Sequence, residues 1–410
     1  MSSVAFALDV GTTTIAGSLV DPSSGTVLSR GERPNPQSAY GSDVMTRLTL
    51  AIRNREAAPA MQKAVLAEAA SLLADLCEAT GVPATRVASG VLVGNTAMHH
   101  LALGLDVSRL ATAPYTPSAE DAAIVELPGL PAMYCAPLIG SYVGSDAVAA
   151  AVSTGLSSGD TRMLVDIGTN TEVLLWHGRM LYAASAPAGP AFEGAEISCG
   201  MRARPGAIHS VLFAGEDISV STVEGATPQG LCGSGLVDAI AVMLGAGILD
   251  ETGRICRRGP LAARVATSTE SAPLGFELAQ GAVLTQKDIR AFQLAKGAIR
   301  AACEILLRNA GISSGSVKGV LLAGAFGSAV SAENVLATGL LPPVSPSLVA
   351  AVGNAALAGA EMMAVSQSAR DTAERIASQA THVELSTDPG FQDEFLQSLN
   401  FHMAMPQGTR

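Results

Sequence analysis

Residues 7–14 read Ala-Leu-Asp-Val-Gly-Thr-Thr-Thr, and residues 164–171 read Leu-Val-Asp-Ile-Gly-Thr-Asn-Thr. In register, Asp9 falls on Asp166, Gly11 on Gly168, Thr12 on Thr169 and Thr14 on Thr171. Each copy is an apolar run, an acid, a turn of small residues and a second apolar run, the pattern of a tight β-hairpin. Successive backbone N–H groups in such a turn make a concave anion site. An Asp ending the first strand can hold Mg²⁺ beside bound phosphates. A single copy reads as an acid capping a turn. Two copies, one opening each half, point to a duplicated fold with a nucleotide between the halves.

The chain of 410 residues is long enough for two or three domains. Hydrophobic residues make up 48% and charged residues 15%, which excludes disorder for most of the length. Aromatics are only 4%, favouring closely packed helices on sheets over a β-sandwich. A net charge of −11 argues against nucleic-acid binding, so phosphate attraction must come from backbone amides and a metal. The six cysteines, Cys77, Cys135, Cys199, Cys232, Cys256 and Cys303, show neither C-x-x-C pairs nor a cluster-ligand spacing. Scattered thiols fit a reducing cytoplasm, and no iron–sulfur cluster is expected. Asp9 interrupts the first apolar run, against a signal peptide. The apolar stretch at 348–365 carries Asn354 and Glu361 and reads as a buried helix rather than a membrane span.

Along the first half, apolar spacing predicts helices over 44–53, 60–80, 97–105 and 144–154, with strands at 26–29, 87–93, 124–127 and 134–138. In the second half, strands are expected at 211–213, 218–223 and 317–322. Helices are expected after residues 230–235, over 285–309 and over 350–365. Thr285, with Asp288 three residues on, forms an N-cap pairing. Residues 185–208 read as an irregular Gly/Pro/Ala-rich insertion holding Glu193, Arg202 and Arg204, a candidate cleft or partner surface. The class is α/β, in two ribonuclease-H-like lobes. The first spans 1–156 with a C-terminal return over about 350–410, and the second spans 157–349.

These blocks resemble the actin, sugar-kinase and heat-shock-70 superfamily of two-lobed ATPases. Residues 8–14 and 165–171 look like its two phosphate motifs, and Gly324-Ala-Phe-Gly327 like its adenosine motif. The stretch from Asp146 to Leu156 resembles the first connecting helix, and 353–359 the second. The resemblance implies ATP and Mg²⁺, with Asp9 and Asp166 at the metal. Gly11, Thr12, Thr13, Thr14, Gly168, Thr169, Asn170 and Thr171 would lie around the phosphates. Gly324, Ala325, Phe326 and Gly327 would lie at the adenosine, and Asp146 would orient the attacking water. An N-cap role for Asp146 stands at even weight with that. Lys296 and Arg300, four apart on one helix face, contact the adenosine or form a solvated basic edge.

A narrower resemblance is to the C-terminal domain of reductive activators of corrinoid proteins. It rests on Asn35-Pro-Gln37 with Tyr40-Gly-Ser-Asp43, Gly94-Asn-Thr-Ala-Met-His-His100, residues 187–195 and Leu231-Cys-Gly-Ser-Gly235. It implies a Mg-dependent ATPase that helps return an inactive Co(II) corrinoid protein of a methyltransferase system to Co(I). Members of that family typically carry an N-terminal [2Fe–2S] domain, and this sequence is expected to start directly at the ATPase. Electrons are therefore expected from a separate ferredoxin or flavoprotein. A homodimer is compatible with the pattern, and neither nucleic acid nor membrane is expected as a partner. The rivals on the same fold are a small-molecule kinase and an ATP-dependent scaffold or filament. Adjacent His99 and His100 point about 100° apart on a helix and do not share a metal. Cys232 resembles the cluster motif of 2-hydroxyacyl-CoA dehydratase activators, but a second such motif is missing, so a packed thiol is expected.

Overall fold

The computed structural model describes residues 3–266, 274–324, 326 and 330–401. It divides into two compact units, one drawing on residues 1–160, 174–184 and 354–384, the other on 161–173, 185–353 and 385–410.

The first unit opens with β1 (Val4–Val10), β2 (Thr14–Val20) and β3 (Val27–Pro34), an antiparallel meander. Helices α1 (Val44–Arg53) and α2 (Ala57–Thr80) follow, then β4 (Val87–Gly94), parallel to β1. Next come α3 (Thr96–Leu103), the short strands β5 (Ala123–Val125) and β6 (Met133–Cys135), and α4 (Ser145–Ser153). The sheet order is β3-β2-β1-β4-β6-β5. Alternation along β1 sorts its side chains by face. Phe6, Leu8 and Val10 join Ile15, Leu19, Leu48, Met61, Leu72 and Met98 in one buried cluster. Each large apolar side chain buried there contributes about 1.5–3 kcal/mol. Ala5, Ala7 and Asp9 alternate onto the opposite face.

After α4 the chain builds β7 (Arg162–Ile167), β8 (Thr171–His177) and β9 (Met180–Ala186). An excursion holds β10 (Ala207–Ala214), β11 (Asp217–Thr222), β12 (Gly230–Leu231) and α5 (Gly233–Gly245). A small sheet of β13 (Val265–Ala266), β14 (Gly275–Ala279) and β15 (Ala282–Thr285) leads into α6 (Gln286–Asn309). The expected pairing at the start of α6 is a full capping box between Thr285 and Asp288. Then come β16 (Gly319–Gly324), α7 (Ala332–Ala337) and β17 (Val349–Gly353). The chain ends with α8 (Ala355–Val365), α9 (Gln367–Gln379), β18 (Ala380–His382) and α10 (Phe391–Leu399).

The second large sheet runs β17-β16-β7-β8-β9-β18. Read from β9, the order β9-β8-β7-β16-β17 follows that of β3-β2-β1-β4-β6, with β16 parallel to β7 as β4 is to β1. The duplication seen in the two hairpins therefore extends to strand order.

Two expectations are corrected. Residues 350–365 are not one helix: 349–353 form β17, parallel to β16, and α8 begins only at Ala355. Gly353, at φ +68°, turns the chain, and Asn354 caps the helix by accepting from Leu357 N. The C-terminal return is also shorter than expected. Residues 354–384 belong to the first unit, but 385 onward belongs to the second. There α10 packs on α6, with the Leu399 and Phe395 side chains lying over Gly297. Gln293 Nε2 donates to Leu399 O at 2.8 Å, and Lys296 Nζ donates to Ser398 O and Asn400 O at 2.7 Å each. The last carbonyls of a helix lack intrahelical partners, so these donors hold α10 by its end.

In the first unit, α4 and α8 cross at close range. A Cβ on Gly359 would collide with the Ala149 carbonyl, and Ser153 Oγ donates to Ala355 O at 2.8 Å.

Candidate functional site

In the first hairpin, Gly11 N–H donates to Thr14 O at 2.9 Å and closes the turn. Three asparagines surround it. Asn35 Nδ2 donates to Gly11 O at 2.8 Å while Asn35 N–H donates to Thr13 O at 2.9 Å. Asn95 Nδ2 donates to Thr12 Oγ1 at 2.9 Å, and Asn354 Nδ2 reaches Asp9 Oδ2 at 3.5 Å. Each asparagine also uses its side-chain oxygen as the N-cap of the helix that follows it. The turn is thus tied to three helix starts, the ends that favour negative charge. Sequence reading gave these asparagines no role, although an Asn directly before an apolar helical run is an N-cap signal.

Asp146 lies in the first turn of α4, whose N-cap is Gly144. The N-cap alternative for this residue is therefore corrected. Its Oδ1 accepts from the neighbouring Ala147 N–H at 2.8 Å. Ser145 bonds Gly94 through its hydroxyl, 3.1 Å from both Gly94 N and Gly94 O. The start of α4 is thereby fixed to the strand end beside Asn95, the residue that holds Thr12.

The second hairpin is supported differently. Asp166 is half-buried, and burial pushes its carboxyl up to about 6. Gly324 ends β16 directly alongside, at φ +84°. A Cβ there would collide with the Ile167 carbonyl and come within 2.6 Å of Asp166 Oδ1, so only glycine fits. Thr169 Oγ1 lies 3.1 Å from both carboxylate oxygens of Glu193, and Gly189 N–H donates to Thr169 O at 2.9 Å. Thr171 is fully buried. Gly168 and Asn170 complete the turn, and Gly168 faces Glu193 Oε1.

Phe326, four percent exposed, packs edge-on against Phe192 at 5.2 Å between ring centroids. Ala325 and Gly327 of the expected adenosine motif lie outside the described residues. Lys296 is not a solvated edge. It is 1% exposed, commits its ammonium to the end of α10 and lies 5.0 Å from the Phe401 ring centroid. Burial pushes it down to about 7, with the Arg300 charge adding to the effect. Arg300 bonds Glu304 and the Leu341 carbonyl. Arg202 and Arg204 are exposed.

Cys232 is buried at the entry to α5, its Sγ 3.3 Å from Ile208 O, a packed thiol as the sequence predicts. His100 donates from Nδ1 to Thr96 O at 2.8 Å and accepts the Ser118 N–H at Nε2. His99 is buried, and burial together with its histidine neighbour depresses it to about 3. Neither imidazole is placed to share a metal. Among the described residues, no group of three or more His, Cys, Asp or Glu side chains is arranged to hold one. No helix there is long and apolar enough to cross a membrane.

Each unit carries one oxygen donor of the chemical kind that the Mg²⁺ implied by the resemblance takes. Asp9 and Asp166 are hard oxygen donors at equivalent strand ends beside threonine-rich turns.

Comparison with known proteins extends the likeness over the whole chain. A corrinoid activation enzyme, RamQ of Eubacterium limosum, is 33% identical across 96% of this chain and 70% of its own length. A [Co(II) methylated amine-specific corrinoid protein] reductase of Methanosarcina barkeri is 29% identical across 65% of this chain and 51% of its own. The solved structure of a reductive activator for corrinoid, iron–sulfur protein superposes with a TM-score of 0.88 at 34% identity. That match covers 98% of this chain and 66% of the activator, so the chain spans between half and 70% of these relatives. A family model described as the RACo middle region matches residues 4–159. Another, described as the C-terminal domain of RACo, the ASKHA domain, matches residues 160–407. With the two tiling it almost end to end, the chain belongs to the RACo family and has the ASKHA, actin-like fold.

Proposed function

We propose that this chain is a cytoplasmic Mg²⁺-dependent ATPase that promotes reduction of an inactive Co(II) corrinoid protein to Co(I). The electron would come from a separate ferredoxin or flavoprotein. The observation that carries the reading is the likeness to the reductive activator over 98% of the chain. The paired hairpins supply its chemical logic. Asp9 and Asp166 would hold Mg²⁺, which would offset phosphate charge in a protein of net charge −11. Backbone amides and hydroxyls of Gly11, Thr12, Thr13, Thr14, Gly168, Thr169, Asn170 and Thr171 would bind the phosphates. Gly324 and Phe326 would lie toward the adenosine, and Asp146 would orient the attacking water. Differential affinity for the nucleotide states would then bias the bound corrinoid protein toward a form easier to reduce.

The test follows the cobalt absorption spectrum of a corrinoid protein while each component is omitted in turn. Conversion of Co(II) to Co(I) is expected only with this protein, Mg-ATP and a reductant together. Absence of any ATP effect, with phosphorylation of a small metabolite instead, would make the chain a kinase.

A further inference from the structure

We propose that Glu193 senses the nucleotide phosphate. It holds the Thr169 hydroxyl until a phosphate displaces it, and its neighbour Phe192 carries that displacement through Phe292 to the C-terminal helix α10. The proposal rests on the nucleotide reading of the second hairpin.

A threonine hydroxyl has one proton to donate. While that proton is on Glu193, with both carboxylate oxygens 3.1 Å away, it is withheld from any other acceptor at the turn. A phosphate bound there competes for the same proton and also repels the carboxylate. The hydroxyl therefore has two exclusive partners, and the choice between them moves Glu193.

Glu193 cannot move alone. It sits in a tight turn in which Glu193 N–H and Ala195 N–H both donate to Pro190 O, at 3.1 and 3.2 Å. The adjoining Phe192 is 2% exposed and packs edge-on against Phe292, centroids 5.5 Å apart at 75°. Phe292, on α6, stacks on Phe401 at 6.1 Å and 24°. Next to it Gln293, and one turn on Lys296, hold the carbonyls that end α10. Edge-to-face ring contacts depend on angle, and close-packed interiors shift between discrete arrangements rather than yielding gradually. A rotation at residues 192–193 is thus registered at Phe292 and Phe401. Each step lies within the second unit.

The test measures amide hydrogen exchange in a peptide covering 391–401, with and without Mg²⁺ and a non-hydrolysable ATP analogue. Analogue affinity is recorded in parallel. In the natural sequence, saturation with the analogue should change exchange in that peptide by about fivefold or more. Glu193→Gln removes the repulsion, so the analogue should bind more tightly while the response at 391–401 shrinks. Phe401→Leu, far from the hairpin, should also change analogue affinity, because loosening the end of α10 shifts the same equilibrium that the analogue biases. Weaker binding in Glu193→Gln would make Glu193 a direct ligand of metal or nucleotide and overturn the sensor. Bound analogue with unchanged exchange at 391–401 would overturn the coupling. Failure of the natural sequence to bind the analogue would overturn the nucleotide reading itself.

Discussion

The two hairpins carry one motif on two kinds of support. In the first, neutral amides do the holding: Asn35, Asn95 and Asn354 each bond the hairpin while capping a helix. In the second, a carboxylate holds the turn hydroxyl and a glycine presses on the aspartate. Amide donors serve equally well with or without a charged ligand. A carboxylate facing a phosphate site does not, because the incoming charge opposes it. On the proposed nucleotide reading, the first hairpin would be a fixed cradle and the second one that responds.

The largest test asks whether the halves are chemically equivalent. Asp9→Ala and Asp166→Ala should each lower ATP turnover by about 10²-fold or more, measured as phosphate release, with the folded circular dichroism spectrum retained. Normal turnover in both variants would end the two-hairpin assignment. A loss in only one would make the motif's symmetry a matter of fold alone. Asp146→Asn should slow hydrolysis by roughly 10²-fold while analogue affinity stays put, the sign of a group acting on the water.

The contrast in support is sharpened by glycines. Gly324→Ala must accommodate a positive φ and a backbone collision, so it should cost about 1–3 kcal/mol in denaturant titration. At Gly11 the nearest obstruction is Thr14 O at 2.9 Å with no positive φ, and alanine there should cost less. Equal losses would erase the distinction. Asn95→Ala removes a helix cap and a tie to Thr12, for about 1 kcal/mol by the same method.

The smallest effect is one of pH. Folded His99 titrates near 3, against 6.5 for an ordinary imidazole. The unfolded chain therefore binds the proton first as pH falls. Stability from this site is whole above 6.5 and declines toward 3, with a slope of at most about 1.4 kcal/mol per pH unit. A His99→Gln variant should lose part of that slope between pH 6.5 and 5. An unchanged slope would place the titrating group elsewhere.

Much of the fold is legible in the sequence, because hairpins announce themselves locally. The alternation and glycine turns around Asp9 and Asp166, and the Thr285–Asp288 pairing, are short-range signals. What escaped was non-local. Residues 349–353 are as rich in small apolar groups as the helix after them, and only pairing with β16 makes them a strand. Lys296 reads in sequence as an adenosine contact or a solvated edge, yet α10, a hundred residues later, covers it. The asparagines around the first hairpin come from three distant segments that spacing alone cannot bring together.

The crossing of α4 and α8 has a mechanical consequence. Asp146 rides the start of one helix, and Asn354, beside Asp9, heads the other. Where Gly359 rests on the Ala149 carbonyl, the two rods share a fulcrum with no side chain between them. A single methyl group there would tilt one rod against the other and re-aim a carboxylate about one turn away. The helix starts that carry Asp146 and Asn354 are thus set against each other by a contact that involves neither.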